Sequence, residues 1–270
     1  MTDRSSSLDS AGPLRLGVTG ATGRMGRVVL ATAVERPDCD VVFAVNRSPA
    51  SDAVEGVEIE PAVAFDALIA DREPHAVVDF TGAGAAVDYA VTCAEEGVPF
   101  VTGTTGMDET QLDRLCEASE SVPVLHASNF SRGVAVLDEL LAEAVRRLPD
   151  YDIELVETHH SGKRDAPSGT TTRLLATLES AHPGEDEIPD RVHGREGDAP
   201  REPGEIGVHS VRAGAIAGEH EILLAGNHEE IRLCHRAGDR GVFAAGALDA
   251  AAWLAGRDPG WYDFREVIDA

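Results

Sequence analysis

The sequence predicts an α/β protein: a doubly wound parallel sheet, interrupted by an inserted α+β domain with a mixed sheet of its own. Three observations predict it. Up to residue 130, short apolar runs alternate with amphipathic helical stretches, the order that builds a parallel sheet through crossover helices. After 130 the texture changes to a long helix and then to strand-like segments with alternating polarity. Finally, GVFAAGALDAAAWLAG (241–256) is a helix of small residues suited to lying on a sheet. The expected domains are therefore 1–130 with 241–270, and 131–240.

The elements follow in order. LRLGVTG (14–20) is a buried strand, and GATGRMGRVVLATAVER turns into a helix that closes before Pro37. DVVFAV (40–45) is a second strand, and HAVVDFT (75–81) a third after a short helix near 64–70. AAVDYAVTCAEEG is helical, with Gly97 as its stop. VPFVTGT and VPVLHAS are strands on either side of the helix MDETQLDRLCEASES. VAVLDELLAEAVRRL (134–148) is helical and ends before Pro149, and YDIELVETHH is a strand feeding the loop SGKRDAPSG. TTRLLATLESA is the next helix. Residues 182–207, rich in Gly, Pro, Glu and Arg, read as one long exposed loop. IGVHSVRAG, EHEILLAG and EEIRLCHRA then read as an antiparallel meander.

Composition narrows the function. Hydrophobic residues are 43% of the chain, an ordinary globular share. No apolar run approaches the roughly 18 residues that cross a bilayer, and the polar start MTDRSSSLDSAG reads as a frayed tail. A cytoplasmic protein is expected. The 23 basic and 48 acidic residues give a net charge of −25, which repels nucleic acid and anionic membranes alike. Because the acidity runs through the whole chain, adaptation to high salt is expected. The four scattered cysteines lack metal-ligand spacing and are expected to be small buried hydrophobes, with no metal. Among the 23 basic residues a single one, Lys163, is lysine. A solvated surface site could equally hold arginine. A site that must release a proton could not, because guanidinium does not deprotonate.

Two segments carry chemistry. Gly20-Ala21-Thr22-Gly23-Arg24-Met25-Gly26 follows a strand and opens a helix. Its glycines allow a tight turn and close approach of a pyrophosphate to the helix N-terminus. This is the Rossmann-like dinucleotide signature. At the end of the next strand, Asn46 lacks the carboxylate that would repel a 2′-phosphate and Arg47 could clasp one, so NADPH is expected, with NADH possible. The other strand tips contribute Phe80, then Gly103, Thr104 and Thr105 toward the nicotinamide, then Ala127, Ser128, Asn129 and Phe130. The second segment, HHSGKRDAPSGT, gathers His159, His160, Lys163 and Asp165 ahead of Ser168, Gly169 and Thr170, which open a helix and favour an anion. A metal fits poorly, because adjacent histidines on a strand point to opposite faces.

These residues resemble the 4-hydroxy-tetrahydrodipicolinate reductase (dihydrodipicolinate reductase) family. GATGRMGR, VDFT, GTTG, ASNFSRGV, THHSGKRDAPSGT, HSVRAG, GEH and AAWLAG carry the resemblance over nearly the whole chain. It implies His159 and Lys163 as catalytic residues, and His160, Gly169, Thr170 and Arg240 as substrate contacts, to which the anion-favouring helix start adds Ser168. It also implies a homotetramer formed through the inserted domain, and reduction of a cyclic imine dicarboxylate in lysine and diaminopimelate biosynthesis. Many members carry an acidic residue where Asn46 stands. Two rivals are weighed: another Rossmann oxidoreductase, such as an aspartate or semialdehyde dehydrogenase, and a non-catalytic NAD(P)-binding redox sensor. The semialdehyde enzymes need a nucleophilic cysteine at a helix start, which no cysteine here provides. The sensor would need only the first domain.

Overall fold

The computed structural model describes residues 12–48, 53–182 and 190–270. The N-terminal tail and most of the acidic stretch at 183–190 lie outside the described residues. The chain divides into two compact units, 1–130 with 243–270, and 131–242.

The first unit is built on seven parallel strands: β1 (Leu14–Thr19), β2 (Cys39–Asn46), β3 (Ile59–Pro61), β4 (Ala76–Asp79), β5 (Phe100–Thr102), β6 (Pro123–His126) and β12 (Gly260–Tyr262). Their order is β12-β6-β5-β4-β1-β2-β3. The chain leaves β1 in one direction and returns on its other side at β4. The carboxyl ends of β1 and β4 therefore flank the switch point where such sheets take their ligands.

Successive strand residues feed opposite cores, as the pleat requires. Leu16, Val18, Val78, Val101 and Leu125 meet α1 (Arg24–Val34), α7 (Gly241–Leu254) and α8 (Phe264–Ile268) on one face. Phe43, Val45, Val77, Phe100 and Val124 meet α2 (Phe65–Arg72), α3 (Ala83–Glu96) and α4 (Glu109–Ser119) on the other. Gly97 ends α3 in the left-handed region at φ +71, as its type predicts. Asp108 and Gln111 form a capping box that starts α4. The short elements β3, β12 and α8 escape the sequence reading because three to five residues show no resolvable period.

The second unit has a five-stranded mixed sheet made of β7 (Asp152–His159), β8 (Arg191–Val192), β9 (Ile206–Arg212), β10 (Glu219–Gly226) and β11 (Glu229–Arg236). Its order is β11-β10-β7-β9-β8. One face is covered by α5 (Arg132–Arg147) and α6 (Gly169–Ala181), which bury Leu137, Leu141, Val145, Leu174, Leu175 and Leu178 against Ile153, Leu155, Val208, Ile222 and Leu224. Each such side chain contributes about 2 kcal/mol on leaving water.

Three expectations need correction. The last three strands are not a meander: only β10 and β11 pair directly, and β7 lies between β9 and β10, parallel to β9. The apolar alternate residues of β7 need neighbours on both sides, and a central position supplies them. The stretch 182–207 is not wholly loop, because Arg191–Val192 adds an edge strand to β9. The cysteines are not all buried. Cys93 is, and Cys39 partly so, but Cys116 on α4 and Cys234 on edge strand β11 are exposed.

Candidate active site

In the first unit the site begins where β1 ends. Gly20 sits at φ +72, and a Cβ there would lie 2.5 Å from the Phe80 carbonyl oxygen, so only glycine lets the turn rest on β4. A Cβ on Gly26 would collide with the Gly20 carbonyl, which brings α1 hard against that turn. Gly23 is the N-cap of α1, without a side-chain cap and with no acidic residue in the first turn. The first-turn N–H groups and the positive helix end are thus left to an outside anion, and the residues present fit a pyrophosphate.

The predicted contacts divide by exposure. Arg24, Arg47, Thr105 and Ser128 are exposed, while Thr22, Gly23, Met25, Asn46, Phe80, Gly103 and Asn129 are half-buried. Ala21, Thr104, Ala127 and Phe130 are buried. Ala21 donates its N–H to Val45 O at 3.2 Å, tying the loop to β2. Asn46 donates its side-chain amide to Ser48 O at 3.0 Å. Phe130 lies edge-on to Phe80 and Phe264, with ring centroids 5.9 and 5.2 Å away.

Sequence reading missed what holds these tips together. Asp79, wholly buried at the end of β4, accepts the hydroxyls of Thr19 and Thr81 on one carboxylate oxygen, each at 2.6 Å. Its other oxygen accepts those of Thr102 and Thr104, each at 2.7 Å. Thr104 also receives the Thr81 N–H at 3.0 Å. One carboxylate therefore fixes the carboxyl ends of β1, β4 and β5, and the hydroxyl of Thr104 is spent inside the protein.

In the second unit the alternation of β7 places Ile153, Leu155, Glu157 and His159 on the helix-covered face. His159 Nδ1 is bonded to Glu157 Oε2. The Glu157 side chain has no exposed surface. It is gripped from β9 by both ends of the Arg212 guanidinium, Nη2 on Oε1 at 2.7 Å and Nη1 on Oε2 at 2.9 Å. Burial alone would raise the Glu157 carboxyl, but Arg212, the Ser210 hydroxyl and His159 outweigh it and hold it below the ordinary carboxylate range. Burial pushes His159 below its ordinary value; Glu157 pulls it up, and Lys163 and Arg212 push it further down.

Arg212 reaches beyond Glu157, donating to the Asp165 carbonyl at 2.6 Å and so anchoring the loop after β7. In that loop Lys163 Nζ lies 2.9 Å from Asp165 Oδ2, its side chain largely covered. Although burial opposes it, Lys163 holds the Asp165 carboxyl low.

Ser168 is buried and caps α6, accepting Thr171 N–H at 3.1 Å. Its hydroxyl also meets His220 Nε2 at 3.2 Å. Gly169, exposed, and Thr170, half-buried, are left at the helix mouth. His220 on β10 stands edge-on to His159, with ring centroids 5.3 Å apart. Burial foremost, then the charge of His159, drops it to about 4.

The structure thus brings His159, Lys163 and Ser168 into one cluster. His160 lies outside the buried face, half-exposed and beside Gly162. Arg240 is exposed in the loop between β11 and α7, and no hydrogen bond or ion pair among the described residues joins it to the cluster. Glu157, Arg212 and His220 escaped the sequence reading. The two-residue spacing of Glu157 and His159 on a strand could have found the first. The other two come from strands whose placement is non-local.

Comparison with known proteins settles the family. A model described as the N-terminus of dihydrodipicolinate reductase matches residues 14–130, and one for its C-terminus matches 133–268. The chain belongs to the dihydrodipicolinate reductase family. A 4-hydroxy-tetrahydrodipicolinate reductase from Haloarcula marismortui is 50% identical over 95% of this chain and 99% of its own length. Its counterpart from Natronomonas pharaonis is 49% identical over 93% and 98%. Among solved structures, a dipicolinate-bound dihydrodipicolinate reductase from Paenisporosarcina sp. TG-14 superposes with a TM-score of 0.76, at 23% identity and over 93% of this chain and 97% of that one. The chain is accordingly an oxidoreductase with a nicotinamide-binding fold, and the non-catalytic sensor reading falls.

Proposed function

We propose that the chain reduces 4-hydroxy-tetrahydrodipicolinate to tetrahydrodipicolinate in lysine and diaminopimelate biosynthesis, with NADPH as the favoured donor and NADH a possible one. The reaction class rests on the family and on relatives about half identical over nearly the whole chain. The residue roles rest on one observation: the single lysine, paired with Asp165 at 2.9 Å, lies in the loop that runs from His159 to the α6 N-terminus.

When bound, the reduced nicotinamide would supply the hydride that a ring carbon of the substrate receives, the 4-hydroxyl of the substrate leaving as water. Gly20 to Met25 would hold the pyrophosphate, Asn46 and Arg47 the ribose side, and the tips at Phe80, Gly103 to Thr105 and Ala127 to Phe130 the nicotinamide side. Lys163 acts as general acid, giving a proton from Nζ to the position that gains one. Asp165 keeps that ammonium in place, and His159 shuttles the proton or steadies developing charge. His160, Gly169 and Thr170 hold the ring carboxylates, with Ser168 presenting the helix mouth and Arg240 as a further cation.

A cytoplasmic site of action and a homotetramer belong to the same proposal. No helix among the described residues is long and apolar enough to cross a membrane, which is consistent with the first. Among the described residues, the sheet of the second unit has α5 and α6 on one face, and its other face carries exposed Val211. Size-exclusion with light scattering tests the second.

The direct test follows NADPH and NADH absorbance with freshly generated substrate in molar KCl, for wild type and Lys163→Ala. Turnover is expected to prefer NADPH and to lose about 100-fold or more in kcat in the variant. Near-normal kcat and KM in the variant would remove Lys163 from its role.

A further inference from the structure

We infer that Glu157 is a positioning residue for His159: clamped by Arg212, its carboxylate keeps the imidazole proton on Nδ1 and leaves Nε2 as the nitrogen that exchanges protons. The inference rests on His159 taking part in the chemistry as proposed above.

A carboxylate with no exposed surface is costly unless its oxygens are satisfied. Both oxygens of Glu157 are, by the Arg212 fork, which also keeps the group ionised. An ionised carboxylate can only accept, so Nδ1 opposite it must carry the hydrogen. Nε2 then holds the lone pair. No hydrogen bond among the described residues occupies Nε2, and the space beside it is kept open by Gly218, whose Cβ, if present, would lie 3.1 Å away.

The charged and titratable groups around the ring come from every strand packed on β7 and from the following loop. Arg212 stands on β9, His220 on β10 and Lys163 on the loop, with Glu157 on β7 itself. When Nε2 takes a proton, the resulting imidazolium gains the adjacent carboxylate. When it releases one, Nδ1–H remains on Glu157 and the ring has not turned. His220 adds a mechanical limit: its edge seats the His159 ring while its Nε2 is tied to the Ser168 cap. The ring and the α6 mouth are therefore set by the same support.

Glu157→Gln tests this because a primary amide replaces one acceptor oxygen by an NH2 donor, so both Arg212 nitrogens and His159 Nδ1 can no longer all donate to it. Two readouts are needed: ¹⁵N spectra of histidine-labelled protein above pH 7.5, and steady-state kinetics across pH beside His159→Gln. In wild type, Nδ1 is expected to be protonated and Nε2 pyridine-like. In Glu157→Gln the proton shifts to Nε2 or spreads over both, and kcat falls about 10- to 100-fold with both KM values within about threefold. The acid limb of the kcat profile moves as well. The wild-type spectrum needs no variant to fold, and a proton on Nε2 there would overturn the inference. So would a variant with wild-type kcat and an unchanged tautomer. If His159→Gln kept its kcat, the catalytic reading of His159 would fail, while the spectrum would still report whether Glu157 sets the tautomer.

Discussion

Lys163 and Arg212 divide cationic labour in a way their chemistry explains. Arg212 serves where a permanent planar fork is wanted, spanning both oxygens of Glu157. In the proposed mechanism Lys163 stands where a compact ammonium that can release a proton is needed. Lys163→Arg is therefore expected to lose kcat about as severely as Lys163→Ala, roughly 100-fold, while substrate KM is better preserved; retention of half the wild-type kcat would contradict this. His220 gives a pH-dependent prediction. Its folded value of about 4 lies below the ordinary 6.5, so the folded state binds fewer protons between those limits. Its contribution to stability is complete above pH 6.5 and is lost as pH falls toward 4, by at most about 3 kcal/mol. Glu157 and Asp165, held low, act in the same direction. Denaturant unfolding at pH 7 and pH 4.5 should show a smaller acid loss for His220→Gln than for wild type. An equal loss would mean that His220 is not buried neutral.

At the scale of elements, the carboxyl ends of three strands depend on one side chain. Asp79 receives four threonine hydroxyls contributed by β1, by β5 and by the loops after β4 and β5. Each bond to an ionised acceptor contributes roughly 1.5–3 kcal/mol, offset by the cost of burying the charge. Asp79→Ala is expected to cost about 3 kcal/mol in urea unfolding and to weaken NADPH binding measured by fluorescence. A loss below about 1 kcal/mol would show that the threonines re-pair among themselves. The HAVVDFT and GTTG runs marked these strand tips in the sequence, but not that Asp79 joined them, because a lone Asp at a strand end is an ordinary sight. Likewise the α6 start was legible from Ser168, whereas its tie to His220, 52 residues along the chain, was not.

Across the whole molecule the charge of −25 dominates. Like charges on a compact body repel, and salt shortens the range of that repulsion from about 10 Å at 0.1 M to about 3 Å at 1 M. The melting temperature should therefore rise as KCl goes from 0.1 to 2 M; a fall would remove the case for salt adaptation. Exposed pairs such as Arg146 with Glu143 will weaken in that series, but solvent already screens them and their loss does not reverse the trend.

What the sequence determined by itself is what local physics writes: the strand–helix alternation, the glycine turn that opens α1, the Gly97 stop, the Ser168 cap and the singular lysine. Each depends on residues within about one helical turn or a few pleats of one another. Only the tertiary structure decided the place of β7 between β9 and β10, the Arg212 grip on Glu157 across 55 residues, and the edge contact of His220 with His159. Strand order is a choice among non-local pairings of similar local pattern. Packing of the shared core makes that choice, and it carries the partners of His159 with it.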